Sequence, residues 1–268
     1  MPYIRANGVR LAFDAFGDRQ KEPLFLIHGL TTQRMSVFGA AEALCGDYFV
    51  IAYDCRGHGQ SDHPASFTLE DHGRDLLALM AALGYERANV LGQSMGSYIA
   101  LQAAETDPSR FIKLILVTPK AYDDGGGSSM QKLLKEKGAD IAAVSQAEMF
   151  RLVSEALFSP EITGERREEL LAASVMSGPN AVALTGEETA AVSRALRGFD
   201  LRPGLKNVTC PTLVLSGRND GINPPELGKE IADGIPGAVF KLMPGGHAFS
   251  KEFPDTFARE VRAFLASH

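Results

Sequence analysis

The sequence predicts an α/β fold, an open and mostly parallel sheet with helices on both faces. Three observations carry this. Continuous apolar runs such as Leu24-Phe25-Leu26-Ile27 and Tyr48-Phe49-Val50-Ile51-Ala52-Tyr53 suit strands buried on two faces. Helical patterns alternate with these runs. The stretch Val90-Leu91-Gly92-Gln93-Ser94-Met95-Gly96 ends a strand-like run in Gly-x-Ser-x-Gly and passes into a helical pattern, so the chain must reverse sharply at Ser94. Glycine at 92 and 96 lets strand and helix backbones approach around a strained serine whose hydroxyl is pushed outward, a nucleophile elbow.

In chain order, Tyr3 to Arg5 and Arg10 to Phe16 read as two strands around an Asn7-Gly8 hairpin turn. The runs at 24–27 and 48–53 follow as strands and stop at His28-Gly29 and Asp54. Between Thr68 and Gly84, the residues Leu69, Leu76, Met80 and Leu83 fall near one helical face, and Gly84 ends the pattern. Ala88 to Leu91 is a strand, Tyr98 to Ala104 a helix, and Lys113 to Val117 the sixth strand. From Lys120 to about Gly198 only helical stretches occur, broken at 123–129, Ser159-Pro160 and Gly178-Pro179-Asn180. An insert of roughly eighty residues exceeds an ordinary crossover, so residues 120–198 are expected to form a helical cap inserted after the sixth strand. Residues 1–119 and 199–268 would make the core domain, with the cap over the carboxyl edge of its sheet.

The sheet resumes at Pro211 to Gly217. Asn223 is expected to N-cap a helix that opens with Pro224 and Pro225 and carries Leu227, Ile231 and Ile235 at four-residue spacing. Ala238 to Met243 is the last strand, and Phe249, Phe253, Phe257, Val261 and Phe264 form one stripe of a closing helix.

Composition narrows the function. The 268 residues suffice for a full core, and 45% hydrophobic with 22% charged is ordinary globular usage. A formal charge of −6 and a pI near 5.6 argue against a basic field that would bind nucleic acid or an anionic membrane. The expected partner is a small molecule, with no nucleic acid and no membrane, and a homo-oligomer is compatible. The start, Met1 to Gly8, has no long apolar run, and no stretch approaches the ~18 apolar residues of a membrane span. A soluble, cytoplasmic protein is therefore expected. Cys45, Cys55 and Cys210 are odd in number and lack metal-like spacing, which reads as free buried thiols.

Ligands of open α/β sheets collect at the carboxyl ends of the strands. His28-Gly29-Leu30, Asp54, Ser94, Asp220 and His247 all fall just past predicted strand ends and should share one rim. A serine hydroxyl becomes a nucleophile when a histidine takes its proton, and a buried carboxylate fixes that histidine's tautomer. Ser94, Asp220 and His247 stand in the order nucleophile, acid, base. Asp220 is preferred to Asp123 and Asp124 for its Gly-x-x-Asp approach and the Pro-opened helix after it. His28 and His58 are assigned to loop structure, His63, His72 and His268 to solvent, and Asp54 and Arg56 to a structural ion pair or loop anchor. Met35, Phe38, Met130, Met149, Phe150, Phe158, Met176 and Phe249 are candidates for an apolar pocket or for ordinary packing.

Leu26-Ile27-His28-Gly29 resembles the oxyanion loop of the α/β-hydrolase superfamily, and Asp54-Cys55-Arg56-Gly57-His58-Gly59-Gln60-Ser61 its Asp-x-Arg-Gly-x-Gly-x-Ser stretch. Gly92 to Gly96 resembles its elbow, Gly217-Arg218-Asn219-Asp220 its acid loop and Gly246-His247 its histidine loop. The chain resembles this family nearly end to end, in the serine-nucleophile branch, and is similar to small carboxylesterases and enol-lactonases. The resemblance implies an oxyanion hole made by the backbone N–H groups of Leu30 and Met95, and it implies no metal or organic cofactor. Two features depart from the family. Ser97 stands where a smaller glycine is usual, and the chain has no tryptophan and only 8% aromatic residues, which excludes a pocket that stacks a flat ring on Trp.

A serine nucleophile at this site fits hydrolysis of a small to medium carboxylic ester, lactone or thioester through an acyl-enzyme. Haloalkane dehalogenases and epoxide hydrolases of the superfamily carry Asp at the elbow, so Ser94 argues against both. Carbon-carbon hydrolases of ring-cleavage diones share the serine set and a helical cap and remain an alternative. So do a ligand-binding receptor with a slow triad and an acyltransferase. Multiple turnover separates the enzymes from the receptor.

Overall fold

In the computed structural model, described for residues 2–125, 135–136, 138, 146–175 and 182–267, eight strands form one sheet in the order β1-β2-β4-β3-β5-β6-β7-β8. The strands are β1 (Tyr3–Ala6), β2 (Val9–Phe16), β3 (Pro23–Ile27), β4 (Phe49–Tyr53), β5 (Ala88–Gln93), β6 (Phe111–Val117), β7 (Thr212–Gly217) and β8 (Val239–Met243). The β1–β2 and β2–β4 pairs are antiparallel, and every pair from β4 onward is parallel.

Alternation along the strands builds two cores. Phe25 and Ile27 of β3, Ile51 and Tyr53 of β4, and Leu114 and Leu116 of β6 pack on one face against helices α2 (Leu69–Ala82), α3 (Met95–Thr106) and α7 (Pro225–Gly234). Leu24, Leu26, Val50, Ala52, Ile115 and Val117 point to the other face, against α1 (Phe38–Leu44) and α9 (Pro254–Ala266). Burial on both faces is why these strands read as unbroken apolar runs.

Between β6 and β7 the longer described α-helices are α4 (Gln146–Leu157), α5 (Gly164–Val175) and α6 (Gly186–Ala195). The two ends of this segment meet in a bridge between Tyr122 and Asp200. Phe158, Leu170 and Leu171 pack on Ala248, while Ala191, Val192 and Ala195 pack on Phe67. No described helix is long and apolar enough to cross a membrane. Cys45 is half-buried, Cys55 and Cys210 are buried, and all three are free.

Two expectations are corrected. The closing helix is two helices: α8 (Phe249–Glu252) ends at Phe253, whose φ of −130° and ψ of 61° are not helical, and α9 restarts at Pro254. Proline disfavours the α conformation in the residue before it and is well suited to a helix's first position, so the stripe continues in register across a backbone break. Asn223 does not cap α7. Pro224 holds the capping position and Pro225 opens the helix, one residue too late for Asn223, whose amide turns inward to Tyr98 and Thr118.

Candidate active site

Ser94 sits between the end of β5 and the first residue of α3 at φ 52° and ψ −119°, the positive-φ region that L-residues avoid. Close packing holds it there. A Cβ at Gly92 would lie 2.1 Å from the Gly96 carbonyl oxygen, and one at Gly96 would lie 2.3 Å from that of Ile27. Ser94 N–H donates to the Val117 carbonyl at 2.9 Å, which ties the turn to β6. Ser97 is fully buried, and its hydroxyl donates back to the Ser94 carbonyl at 2.5 Å.

The strand ends bring the other side chains to Ser94. His247, on the loop after β8, has Nε2 3.0 Å from Ser94 Oγ and Nδ1 2.9 Å from Asp220 Oδ2. Asp220, after β7, is held by the backbone N–H groups of Ile222 and Asn223, which donate to its Oδ1 at 2.9 and 2.8 Å. An ionised carboxylate only accepts, so the His247 hydrogen lies on Nδ1, and Nε2 accepts from the Ser94 hydroxyl. Asp220 and His247 are buried and Ser94 is half-buried, open enough to meet a substrate. Asp123 is engaged elsewhere, with Lys120 at 3.2 Å and with the N–H groups of Gly125 and Gly198.

The loop after β3 lies against the elbow, with a Cβ at Gly29 only 3.6 Å from Ser94 Cβ. Leu30 is half-buried on it, and Thr31 takes φ 58°. Met95, the first residue of α3, has an N–H with no acceptor inside its own helix. His28 and His58 brace the loop as the sequence suggests. His28 Nε2 accepts from Cys55 N–H at 3.0 Å, and His58 Nε2 accepts from Thr31 N–H at 3.3 Å. Burial lowers His28 to about 4, with Arg34 adding to the effect, and burial beside His28 lowers His58 to about 3.

The match to the family model described as alpha/beta hydrolase fold runs over residues 22–254. The chain belongs to the α/β-hydrolase family. It is 27% identical over 266 residues to 3-oxoadipate enol-lactonase 2 of Acinetobacter baylyi, covering 98% of this chain and 95% of that one. Among solved structures, the enol-lactonase from Burkholderia xenovorans LB400 superposes with a TM-score of 0.85 at 28% identity, covering 99% of this chain and all of its own. A thermophilic esterase from Thermogutta terrifontis superposes with a TM-score of 0.79 at 27% identity, covering 99% and 98%.

Several assignments in this hydrolase change. Asp54 and Arg56 are structural anchors as expected, but each pairs with another residue and not with the other. Asp54 accepts from the backbone and guanidinium of Arg34, which also reaches Asp14 at 2.7 Å, and Arg56 pairs with Asp75. His72 is buried rather than solvated, packed against the Phe67 ring, and burial holds it well below its usual value. His63 bonds Glu188 at 2.6 Å and the Gly59 carbonyl at 3.0 Å. Phe249 and Phe158 are fully buried packing residues, Phe38 stacks edge-on against Phe16, and Met35 is half-buried. Met130, Met176, His268 and the side chains of Met149 and Phe150 lie outside the described residues. Among the described residues no group of three or more His, Cys, Asp or Glu side chains could hold a metal ion.

Three residues around the site went unread in sequence. Arg34 anchors Asp54 from a turn with no motif, and Tyr98 meets Asn223 across 125 positions of sequence. Glu252 accepts from Gly246 N–H at 2.7 Å and from Ser159 N–H and Oγ at 3.1 and 2.8 Å. Only Tyr98 carried a local signal, one helical turn after the elbow serine.

Proposed function

We propose that this α/β-hydrolase cleaves a small to medium carboxylic ester or lactone through an acyl-enzyme on Ser94. The chain is a hydrolase of the kind that acts on ester bonds. The observation that carries the mechanism is the unbroken hydrogen-bond line from Ser94 Oγ through His247 to Asp220. Ser94 Oγ attacks the substrate carbonyl as its proton passes to His247 Nε2, and Asp220 supports the imidazolium. The carbonyl π pair moves to its oxygen, where the N–H groups of Leu30 and Met95 meet the charge, each worth about 3 kcal/mol. The intermediate collapses as His247 protonates the departing alkoxide. Water, deprotonated by His247, then attacks the acyl carbon and releases the acid. The enol-lactonase and esterase names of similar proteins support ester or lactone chemistry.

In this reading residues 120–198 are the cap that sets acyl and alcohol size, and the ligand is a small molecule. Steady-state hydrolysis of p-nitrophenyl esters from acetate to decanoate is the test. Wild type should turn over many times, while Ser94→Ala and His247→Ala should each lose about 10⁴-fold or more in kcat with the fold intact. A single burst of product from wild type would remove the hydrolase reading and favour a receptor.

A further inference from the structure

The loop that carries Asp220 is pinned at both ends. It runs from the end of β7 to Pro225, where α7 begins. Its first half is held by the histidine loop, since Arg218 N–H donates to the Met243 carbonyl and Asn219 N–H to the Gly245 carbonyl, each at 2.9 Å. In its second half a buried side chain reaches two other elements. Asn223 is fully buried, and its Nδ2 lies 2.8 Å from the Thr118 carbonyl oxygen and 2.7 Å from the Tyr98 hydroxyl oxygen. Thr118 directly follows β6, and Tyr98 is in the first turn of α3.

Donor chemistry fixes the direction of each bond. A peptide carbonyl only accepts, so the Asn223 amide presents its NH2 group to Thr118. The second hydrogen of that group goes to the Tyr98 oxygen, and both hydrogens are thereby committed to groups outside the loop. Thr118 takes φ 50°, a strained region for a β-branched residue, and its own N–H donates to the Leu215 carbonyl at 2.7 Å. The carbonyl that this strained turn directs is the one Asn223 takes. The same asparagine touches the acid through its backbone. Asn223 N–H donates to Asp220 Oδ1 at 2.8 Å, beside Ile222 N–H at 2.9 Å, and Oδ2 lies 2.9 Å from His247 Nδ1. Moving residue 223 would therefore move one of two donors that set the plane of the carboxylate.

We propose that Asn223 is a positioning residue for the acid: its side-chain amide fastens the loop to β6 and α3, so that its backbone N–H keeps the Asp220 carboxylate in line with His247. The role rests on Ser94, His247 and Asp220 acting as the triad. No bond or proton changes at Asn223 during the reaction. Its contribution is orientation, because a carboxylate that is already aligned supports the imidazolium as it forms, with no rearrangement at the moment of attack.

The test compares full-length wild type with Asn223→Leu, which keeps the shape of the amide and has no donor, using p-nitrophenyl ester hydrolysis and a fluorophosphonate probe. Wild type should label once per chain at Ser94. Asn223→Leu should lose about 10- to 100-fold in kcat with KM little changed. The acid limb of its kcat/KM profile should move to lower pH, because a misaligned carboxylate favours the imidazolium less. Tyr98→Phe keeps the ring and removes one of the two acceptors. It should shift both readouts in the same direction by a smaller factor and add nothing in the Asn223→Leu protein. Unchanged kcat and acid limb in Asn223→Leu would overturn the proposal, as would losses from the two substitutions that multiply. A fall in kcat with the acid limb unmoved would overturn it too, since the amide would then support the fold alone. If Asn223→Leu does not fold, Tyr98→Phe decides by itself, and wild-type kcat and acid limb in that variant overturn the role. Absence of Ser94 labelling in wild type would instead remove the nucleophile reading, and the positioning role with it.

Discussion

Ser94 at φ 52° stores strain of about 1–3 kcal/mol, which persists because its surroundings leave no alternative. Gly96 is the tightest of these constraints from the loop side, since an added Cβ would meet the Ile27 and His28 carbonyl oxygens at 2.3 and 2.8 Å. Backbone atoms of a central strand cannot retreat as a flexible side chain can. Gly96→Ala should therefore destabilise the fold by about 3 kcal/mol and slow labelling of Ser94, because relief of the clash must turn the serine or push the loop at 28–30 away. Thermal unfolding and the labelling rate check both halves, and retention of both would show that the elbow has slack.

At the scale of elements, the histidine loop is stapled to the segment that follows α4. Glu252 of α8 takes three hydrogen bonds, one from Gly246 and two from Ser159, and Ala248 N–H donates to the Leu157 carbonyl at 2.9 Å. Glu252→Ala leaves those donors buried and should cost about 3 kcal/mol. It should also lower kcat more than it raises KM, because His247 is the next residue after Gly246. Glu252→Gln, which keeps one acceptor oxygen, should lose less of both. Unchanged melting and kcat in the alanine variant would show that the staple does not hold His247. This contact was invisible in sequence, as were Arg34 with Asp54 and Arg56 with Asp75, because buried ion pairs join residues whose separation carries no period. The strands were legible since two-sided burial writes itself as an apolar run, and Ser94, Asp220 and His247 were legible since each must follow a strand. His72 could have been read. It stands three residues after Leu69 and four before Leu76, on the same buried stripe of α2, and only its polarity suggested solvent.

The molecule as a whole carries opposing titrations that set where it is most stable. Burial holds His28 at about 4, His58 at about 3 and His72 well below 6.5 in the folded chain. A histidine with a depressed folded pKa contributes stability above its unfolded value of 6.5, and that contribution is lost as pH falls, because the unfolded chain takes up protons that the folded chain refuses. Glu105, near the end of α3, works the other way. Burial, with Asp200 nearby, raises it from 4.5 to about 8, and its Oε1 has no hydrogen-bond partner among the described residues. A raised carboxyl contributes stability below 4.5 that is lost as pH climbs through about 8. Of these four groups, the three histidines outweigh Glu105 on the acid side, and Glu105 is the one that still titrates between 6.5 and 8. Stability should therefore peak near the histidine reference of 6.5, fall steeply below it and decline gently toward pH 8. Glu105→Gln should raise the melting temperature at pH 8 and above while leaving the steep acid side in place. A melting-temperature series from pH 4 to 9 on both proteins separates the two effects, and an alkaline decline that survives in the variant would assign it to another group.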